Sequence, residues 1–232
     1  MPCIEQLLIN ENRKLDENGM PRVAGVDRSR FGQLHAEGRK LIEGWIERAT
    51  RQIECSNEDS FEPFIFAWIA FNGWASCVTG QDHDRDYLDA LTLDADLDRA
   101  FKDRLGDSEG NTELSKAAQD FQSLWPIFRS SDVKNAAFSA PDSETRRQRI
   151  ERYKTIRLES RNPARHKPAC AFLHSDRYED IPLDWPHTLS AIYQVRCNLF
   201  HGYKGVHSEN DVLVVSSAFK ILGRLLPVLV GG

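Results

Sequence analysis

The stretch FEPFIFAWIAFNGWASCV, residues 61–78, decides the fold class of this chain. It is apolar all round its helical circumference, whereas a surface helix has one apolar stripe and one polar face. Pro63 falls where the first turn of a helix tolerates proline. The most apolar part, Phe64 to Val78, is shorter than the ~20 residues that cross a bilayer. We therefore predict a helix at the centre of a bundle, in which a buried Asn72 must find a hydrogen-bond partner.

A long amphipathic helix is predicted before this stretch, starting after Asp27, which suits an N-cap. Residues 1–27 combine several turn formers with no sustained period, which predicts a loosely ordered N-terminal arm. The apolar residues that follow recur at the three- and four-residue spacing of one helical face. They are Phe31, Leu34, Leu41, Ile42, Trp45, Ile46, Ala49 and Ile53.

Two more helices are predicted at the end of the chain. One begins near Pro186 and carries TLSAIYQVRCNLFHG, residues 188–202. The other carries DVLVVSSAFKILGRLLPVLVGG, where Asp211 or a nearby polar residue caps the helix and Pro227 should kink or end it. Together with the two earlier helices, they predict an all-α fold, a four-helix bundle formed by residues 28–79 and 186–229.

Residues 80–185 are polar and charged, and we interpret them as a helical insertion between the second and third bundle helices. Three helices are predicted there, roughly over Tyr87–Arg104, Thr112–Phe128 and Glu144–Glu159. Asp94, Asp96 and Asp98 alternate but lack the glycine and glutamate of a calcium loop. A helix surface is the favoured interpretation of these acids, and we predict no metal site.

Charge is distributed unevenly within the insertion. Residues 82–109 hold ten acidic and four basic side chains, whereas residues 144–167 hold nine Lys or Arg and three Glu. The basic block is either a track for the RNA backbone or a solvated helix that pairs with the acidic segment. The candidate RNA-binding residues are Arg146, Arg147, Arg149, Arg152, Lys154 and Arg157.

The composition indicates a globular protein: 41% of the 232 residues are hydrophobic, 28% are charged, and the net charge is -5. The five cysteines are widely spaced and odd in number, which argues against a disulfide framework and a thiolate zinc site. The first residues lack the basic start and apolar run of a signal peptide. A cytoplasmic protein is therefore expected.

Arg196 is the first candidate site residue. It is predicted near the middle of an apolar stripe on the helix that follows His187. A guanidinium there cannot lose its proton, so it needs an anionic partner, an opening to solvent or a ligand phosphate. An internal salt bridge is the alternative interpretation.

His201 follows five residues later, immediately before Gly202. In an unbroken helix the two side chains would point about 140° apart, but a helix end at Gly202 would free the imidazole to turn toward Arg196. Histidine suits proton transfer near neutral pH. Alternatively, His201 is a cation that favours the helix dipole, or it forms a thiol-hydrolase pair with Cys197, whose own alternative is a packed cysteine.

The segment RCNLFHG, residues 196–202, resembles the R-x4-6-H motif of the HEPN superfamily, which lies near the end of a bundle helix. FIFAWIAFNGWAS, residues 64–76, is similar to the second helix of the Apea-like branch, including its internal asparagine. The resemblance covers residues 28–79 and 186–229, about half of the chain.

This resemblance implies a metal-independent endoribonuclease without a cofactor, a toxin or anti-phage defence effector that acts on RNA as a homodimer with a composite cleft. Arg196 would stabilise phosphate charge, and His201 would transfer the proton of the ribose 2′-hydroxyl. Many members have a polar residue directly after the arginine, where this chain has Cys197. An antitoxin or defence partner is a further implied partner, and the alternative is a catalytically silent module that binds RNA or a protein. The supporting residues would be Asn198, Asn72 and Tyr203.

Overall fold

The computed structural model describes residues 25–106, 112–125, 127, 148 and 181–231. This part of the chain is helical without strands, which confirms the all-α prediction. A 3₁₀ turn at Glu58–Ser60 accompanies eight α-helices. The helices are α1 Ser29–Gln33, α2 Ala36–Thr50, α3 Phe61–Thr79, α4 Asp84–Thr92, α5 Ala95–Gly106, α6 Thr112–Ser123, α7 Trp185–Phe200 and α8 Glu209–Gly231.

Several predictions concern residues outside this described part. They are most of the N-terminal arm, the helix over Glu144–Glu159 and the RNA-binding candidates Arg146, Arg147, Arg149, Arg152, Lys154 and Arg157.

Helix α3 lies at the centre of the molecule, as its composition predicts. Phe64, Phe71 and Trp74 are fully buried, and the helix packs most extensively against α2 on one side and α8 on another. Pro63 occupies the first turn, and Gly80 ends the helix in the left-handed conformation at φ 65°. An all-round apolar helix is stable in water only when its neighbours cover it in this way.

The single long helix predicted after Asp27 is wrong, because the chain breaks it into α1 and α2. Leu34 is extended at φ -61° and ψ 141°, and the His35 ring accepts a hydrogen bond from the Glu37 amide at the start of α2. Leu41, assigned to the apolar face, is 63% exposed. The apolar spacing continues across the break, so periodicity could not detect it.

The helix predicted over Tyr87–Arg104 is likewise two helices, α4 and α5. The Asp94 carboxylate accepts a hydrogen bond from the Leu97 amide at 2.8 Å and so provides a cap in the middle of the predicted helix. Asp96 and Asp98 form ion pairs with bases on α5, as the helix-surface interpretation predicts. Asp94 lies between the two helices, so that interpretation is wrong for it. Helix α6 ends at Ser123, before the predicted Phe128.

Helix α7 begins as predicted, since Pro186 lies in its first turn and the Asp184 side chain caps it through the His187 amide. Asp211 lies in the first turn of α8 and forms an ion pair with Lys204. Of the two outcomes predicted for Pro227, a kink or a helix end, the end is wrong, because α8 continues through Pro227. Proline removes one hydrogen bond there, while the adjoining Leu225 and Leu226 stay buried.

One hydrophobic core joins all these helices. Residues of α4, α5 and α6 contribute to it together with those of α2, α3, α7 and α8. Helix α7 makes its most extensive contacts with α4 and α5, and α8 with α3 and α6. The described part of residues 80–185 therefore packs directly against the helix that carries Arg196.

Helix α8 is long and apolar enough to cross a membrane, but this is weak support for a membrane span. Of its most apolar window, 67% is buried inside the protein. The core helix of a globular protein has the same length and composition.

Candidate active site

The end of α7 carries His201 and is fixed by a glycine. His201 is the C-cap residue, and Gly202 has a φ of 69°. The Tyr203 amide donates to the Asn198 carbonyl at 2.8 Å, and the Gly202 amide donates to the Leu199 carbonyl at 2.9 Å. These two bonds form a Schellman motif, which satisfies the last carbonyls of a helix. The predicted helix end at Gly202 is confirmed.

Substituting Gly202 by alanine should lower the free energy of unfolding by about 1–2 kcal/mol, because an L-residue is strained in the left-handed region. A Cβ there would meet no atom within 4 Å, so the effect would come from the backbone alone. Gly205→Ala is the matched control, since its Cβ would make only ordinary contacts, with Ser208 and with Asp211 Oδ2. Urea titration would measure both variants, and equal stabilities would contradict this account of Gly202.

Arg196 lies at the margin of the buried face of α7, not at its middle as predicted. The buried side of α7 includes Leu189, Ile192 and Val195, whereas the Arg196 side chain is 25% exposed. The burial of Asn198 shows that this face extends in the opposite direction from Arg196. The apolar face that the sequence predicted for α7 is therefore rotated relative to the face that is buried in the structure.

Aromatic rings surround the Arg196 guanidinium. Its central carbon lies 5.0 Å from the centroid of the Phe200 ring, 5.6 Å from that of Trp68 and 5.9 Å from that of Tyr193. At such distances the ring faces attract a cation and restrict its position. Trp68 comes from α3, so the central helix supplies part of this surface.

The anionic partner of Arg196 is Asp84, the first residue of α4. Arg196 Nη1 lies 3.0 Å from Asp84 Oδ2, and the Asp84 side chain is 29% exposed. Arg196 Nε is buried and finds no acceptor among the described residues. The internal salt bridge, which was the alternative interpretation of Arg196, is thus present. It leaves the Nε donor of the guanidinium without an acceptor among the described residues.

Two tyrosines line the inner side of this ion pair. The Tyr87 hydroxyl donates to Asn72 Oδ1, which gives Asn72 the partner that its position in α3 requires. Burial raises the pKa of Tyr87 far above its ordinary value, and the Asp84 carboxylate adds to this. Burial also raises the pKa of Tyr193 to about 12, with a further contribution from Cys197. Near neutral pH both phenols therefore stay protonated and do not act as bases.

The remaining candidates on α7 and at its end differ in burial and in their partners. Asn198 is buried and accepts a hydrogen bond from Gln194 at 3.1 Å. Cys197 Sγ lies 3.9 Å from Arg196 Nη1. His201 is exposed, and its ring centroid lies 6.4 Å from that of the half-buried Tyr203.

The structure therefore separates the predicted residues into two groups. Arg196, Cys197 and Asn72 lie near the ion pair, whereas His201 and Tyr203 lie at the end of α7. Because α7 stays helical up to His201, Arg196 and His201 start about 7.5 Å apart along its axis and point about 140° apart.

Sequence reasoning missed Asp84, Trp68 and Tyr87 as neighbours of Arg196. Asp84 stands among the ten acids of residues 82–109, and no local pattern distinguishes it from them. Within the described part of the chain, no three His, Cys, Asp or Glu side chains are grouped so as to hold a metal ion.

Comparisons with family models, with curated proteins and with solved structures gave no match to this chain.

Proposed function

We propose that α2, α3, α7 and α8 form a HEPN-like four-helix bundle interrupted by residues 80–185, and that the protein is a metal-independent cytoplasmic endoribonuclease. One observation carries the proposal: Arg196 is a partly exposed cation held on aromatic rings, five residues before an exposed histidine at a capped helix end. A fixed cation and a nearby proton acceptor are the two groups that RNA cleavage by its own 2′-hydroxyl requires.

In the proposed reaction the 2′-oxygen attacks the adjacent phosphorus while His201 takes the hydroxyl proton. The bond between phosphorus and the 5′-oxygen breaks, and the leaving oxygen takes up a proton. The products are a 2′,3′-cyclic phosphate and a 5′-hydroxyl. Arg196 would stabilise the negative charge that gathers on the phosphate oxygens in the transition state.

A homodimer would combine Arg196 of one chain with His201 of its partner. Within one chain the two side chains diverge, since they are five residues apart on α7. Three apolar side chains close to His201 in sequence are 41–53% exposed: Phe200, Val206 and Leu213. They would suit a contact between two copies of the chain.

The direct test is to incubate the purified protein with labelled RNA in EDTA. Arg196→Ala and His201→Ala should each slow cleavage by about a hundredfold, as expected for loss of a charge stabiliser or a general base. Arg224→Ala is a matched control, because Arg224 forms an ion pair with Glu54 on another surface. His207→Ala is the second control, since His207 is exposed in the loop that follows α7.

Cleavage that both active-site variants retain would contradict the proposal, as would a wild type that cuts no RNA. Cyclic phosphate ends on the products are expected.

Mixing the two inactive variants tests the composite site. A mixed dimer holds one intact pair, Arg196 from one chain and His201 from the other, so the mixture should regain part of the wild-type rate. A site within a single chain would gain nothing from mixing. A monomer in a size measurement would also contradict the shared site.

The second candidate function is a catalytically silent module that binds RNA or a partner protein, such as an antitoxin or another defence component. The Arg196–Asp84 ion pair favours it, because a guanidinium that already binds a carboxylate of its own chain is less available to stabilise a transition state. RNA binding without cleavage in the same assay would select this function.

A further inference from the structure

The ion pair between Arg196 and Asp84 is partly exposed to solvent. The Arg196 side chain is 25% exposed and the Asp84 side chain 29% exposed, so a solute can approach the pair. Asp84 follows the turn at Gly80 and begins α4. Exchange of one carboxylate for another anion at this position requires no opening of the core.

Asp84 can turn away without moving its helix. Helix α4 is anchored by Tyr87, Leu88 and Leu91, all of them buried. Asp84 lies at the outer end of this helix, and only its short side chain reaches Arg196. A change of rotamer is therefore sufficient to uncover the guanidinium.

The guanidinium is better suited to a phosphate than to the single oxygen it now contacts. Its Nη1 pairs with one oxygen, Asp84 Oδ2, at 3.0 Å, whereas Nη1 and Nη2 together form a planar fork of two donors. Arginine characteristically binds phosphate with two parallel hydrogen bonds. The three rings around Arg196 hold the guanidinium in place when the carboxylate leaves.

We propose that Arg196 is a binding site for a nucleic-acid phosphodiester and that Asp84 occupies this site as an internal competing carboxylate. The choice of phosphodiester rests on the proposed function. Two anions cannot occupy one guanidinium face together, so the nucleic acid binds only to molecules in which Asp84 has turned away. Its apparent association constant is therefore the intrinsic constant multiplied by the fraction of such molecules.

The test is binding of a fluorescein-labelled single-stranded DNA, which lacks the 2′-hydroxyl and cannot be cut by the proposed reaction. Asp84→Asn keeps the shape of the side chain and removes its charge. It should tighten binding by about 5- to 10-fold, the lower part of the range for coupled sites, because the pair is partly exposed. Fluorescence anisotropy at low salt measures the affinity.

Three further variants make the result specific to Arg196. Asp82→Asn removes the same charge from an exposed residue two positions earlier and should change affinity less than twofold. Asp84→Asn combined with Arg196→Ala should lose the gain. Asp84→Ser repeats the charge removal with a residue that a helix start accepts. The proposal is overturned if Asp84→Asn binds no better than Asp82→Asn, or if the gain persists without Arg196.

Cleavage of RNA by the same variants separates this inference from the proposed function. Tighter DNA binding by Asp84→Asn, with no RNA cut by any variant, upholds the competing carboxylate and contradicts the ribonuclease. RNA cleavage by the wild type, with no change in binding or rate in Asp84→Asn, upholds the ribonuclease and overturns the competing carboxylate.

Discussion

Replacing Trp68 by alanine should lower the free energy of unfolding by about 3–5 kcal/mol, the usual cost of removing a large buried aromatic side chain. Trp68 is 2% exposed and lies in α3, the helix that the rest of the bundle surrounds. Its ring centroid is 5.3 Å from that of Phe71 and 5.9 Å from that of Tyr193. The lost volume would leave a cavity between α3 and α7, beneath Arg196.

Trp68→Phe is the matched control for this substitution. Phenylalanine keeps a ring beneath Arg196 and removes the indole Nε1–H, which has no acceptor in the described part of the chain. Its cost should stay below about 2 kcal/mol, since an unsatisfied buried donor is removed together with part of the ring. Urea titration followed by far-UV circular dichroism measures both variants. Equal losses would show that the cavity does not determine the stability of this region.

Replacing Asp211 by alanine should also cost about 3–5 kcal/mol, the penalty for breaking a buried ion pair by removing one partner. Asp211 and Lys204 are each only 5% exposed, and the Lys204 ammonium lies 2.8 Å from Asp211 Oδ1. The other carboxylate oxygen accepts a hydrogen bond from the Gly205 amide at 3.1 Å. Asp211 thus anchors the loop that follows His201 to the first turn of α8.

The double variant Lys204→Met with Asp211→Ala is the informative control. Removing both charges avoids a buried ammonium without its carboxylate, so most of the lost stability should return. A urea titration of the two single variants and the double variant gives the coupling free energy. If Asp211→Ala costs less than about 1 kcal/mol, as for a surface pair, the two groups are solvated in solution.

The helix types and their order followed from patterns within short stretches of sequence. The stretch from Phe61 to Val78 predicted a central helix because its apolar residues cover the whole circumference. Gly202 predicted a helix end because glycine adopts the left-handed conformation without strain. The breaks at Leu34 and at Asp94 escaped the same reasoning, since apolar spacing continues across them and outweighed the local capping residues His35 and Asp94.

The candidate site was predictable only in part. The sequence singled out Arg196 because a permanent cation stood among apolar residues, and that reasoning required some partner for it. It could not identify Asp84, which lies 112 positions earlier along the chain. Long-range pairing depends on how α4 packs against α7, which local spacing does not encode.

The sequence by itself determined an all-α protein, its buried central helix, and the helix that carries Arg196 and ends at Gly202, because each follows from the side chains within a few helical turns. Only the tertiary structure decided that Asp84 neutralises Arg196 and that aromatic rings of α3 and α7 hold the guanidinium. Contacts between distant segments set these features, since they depend on the packing of whole helices.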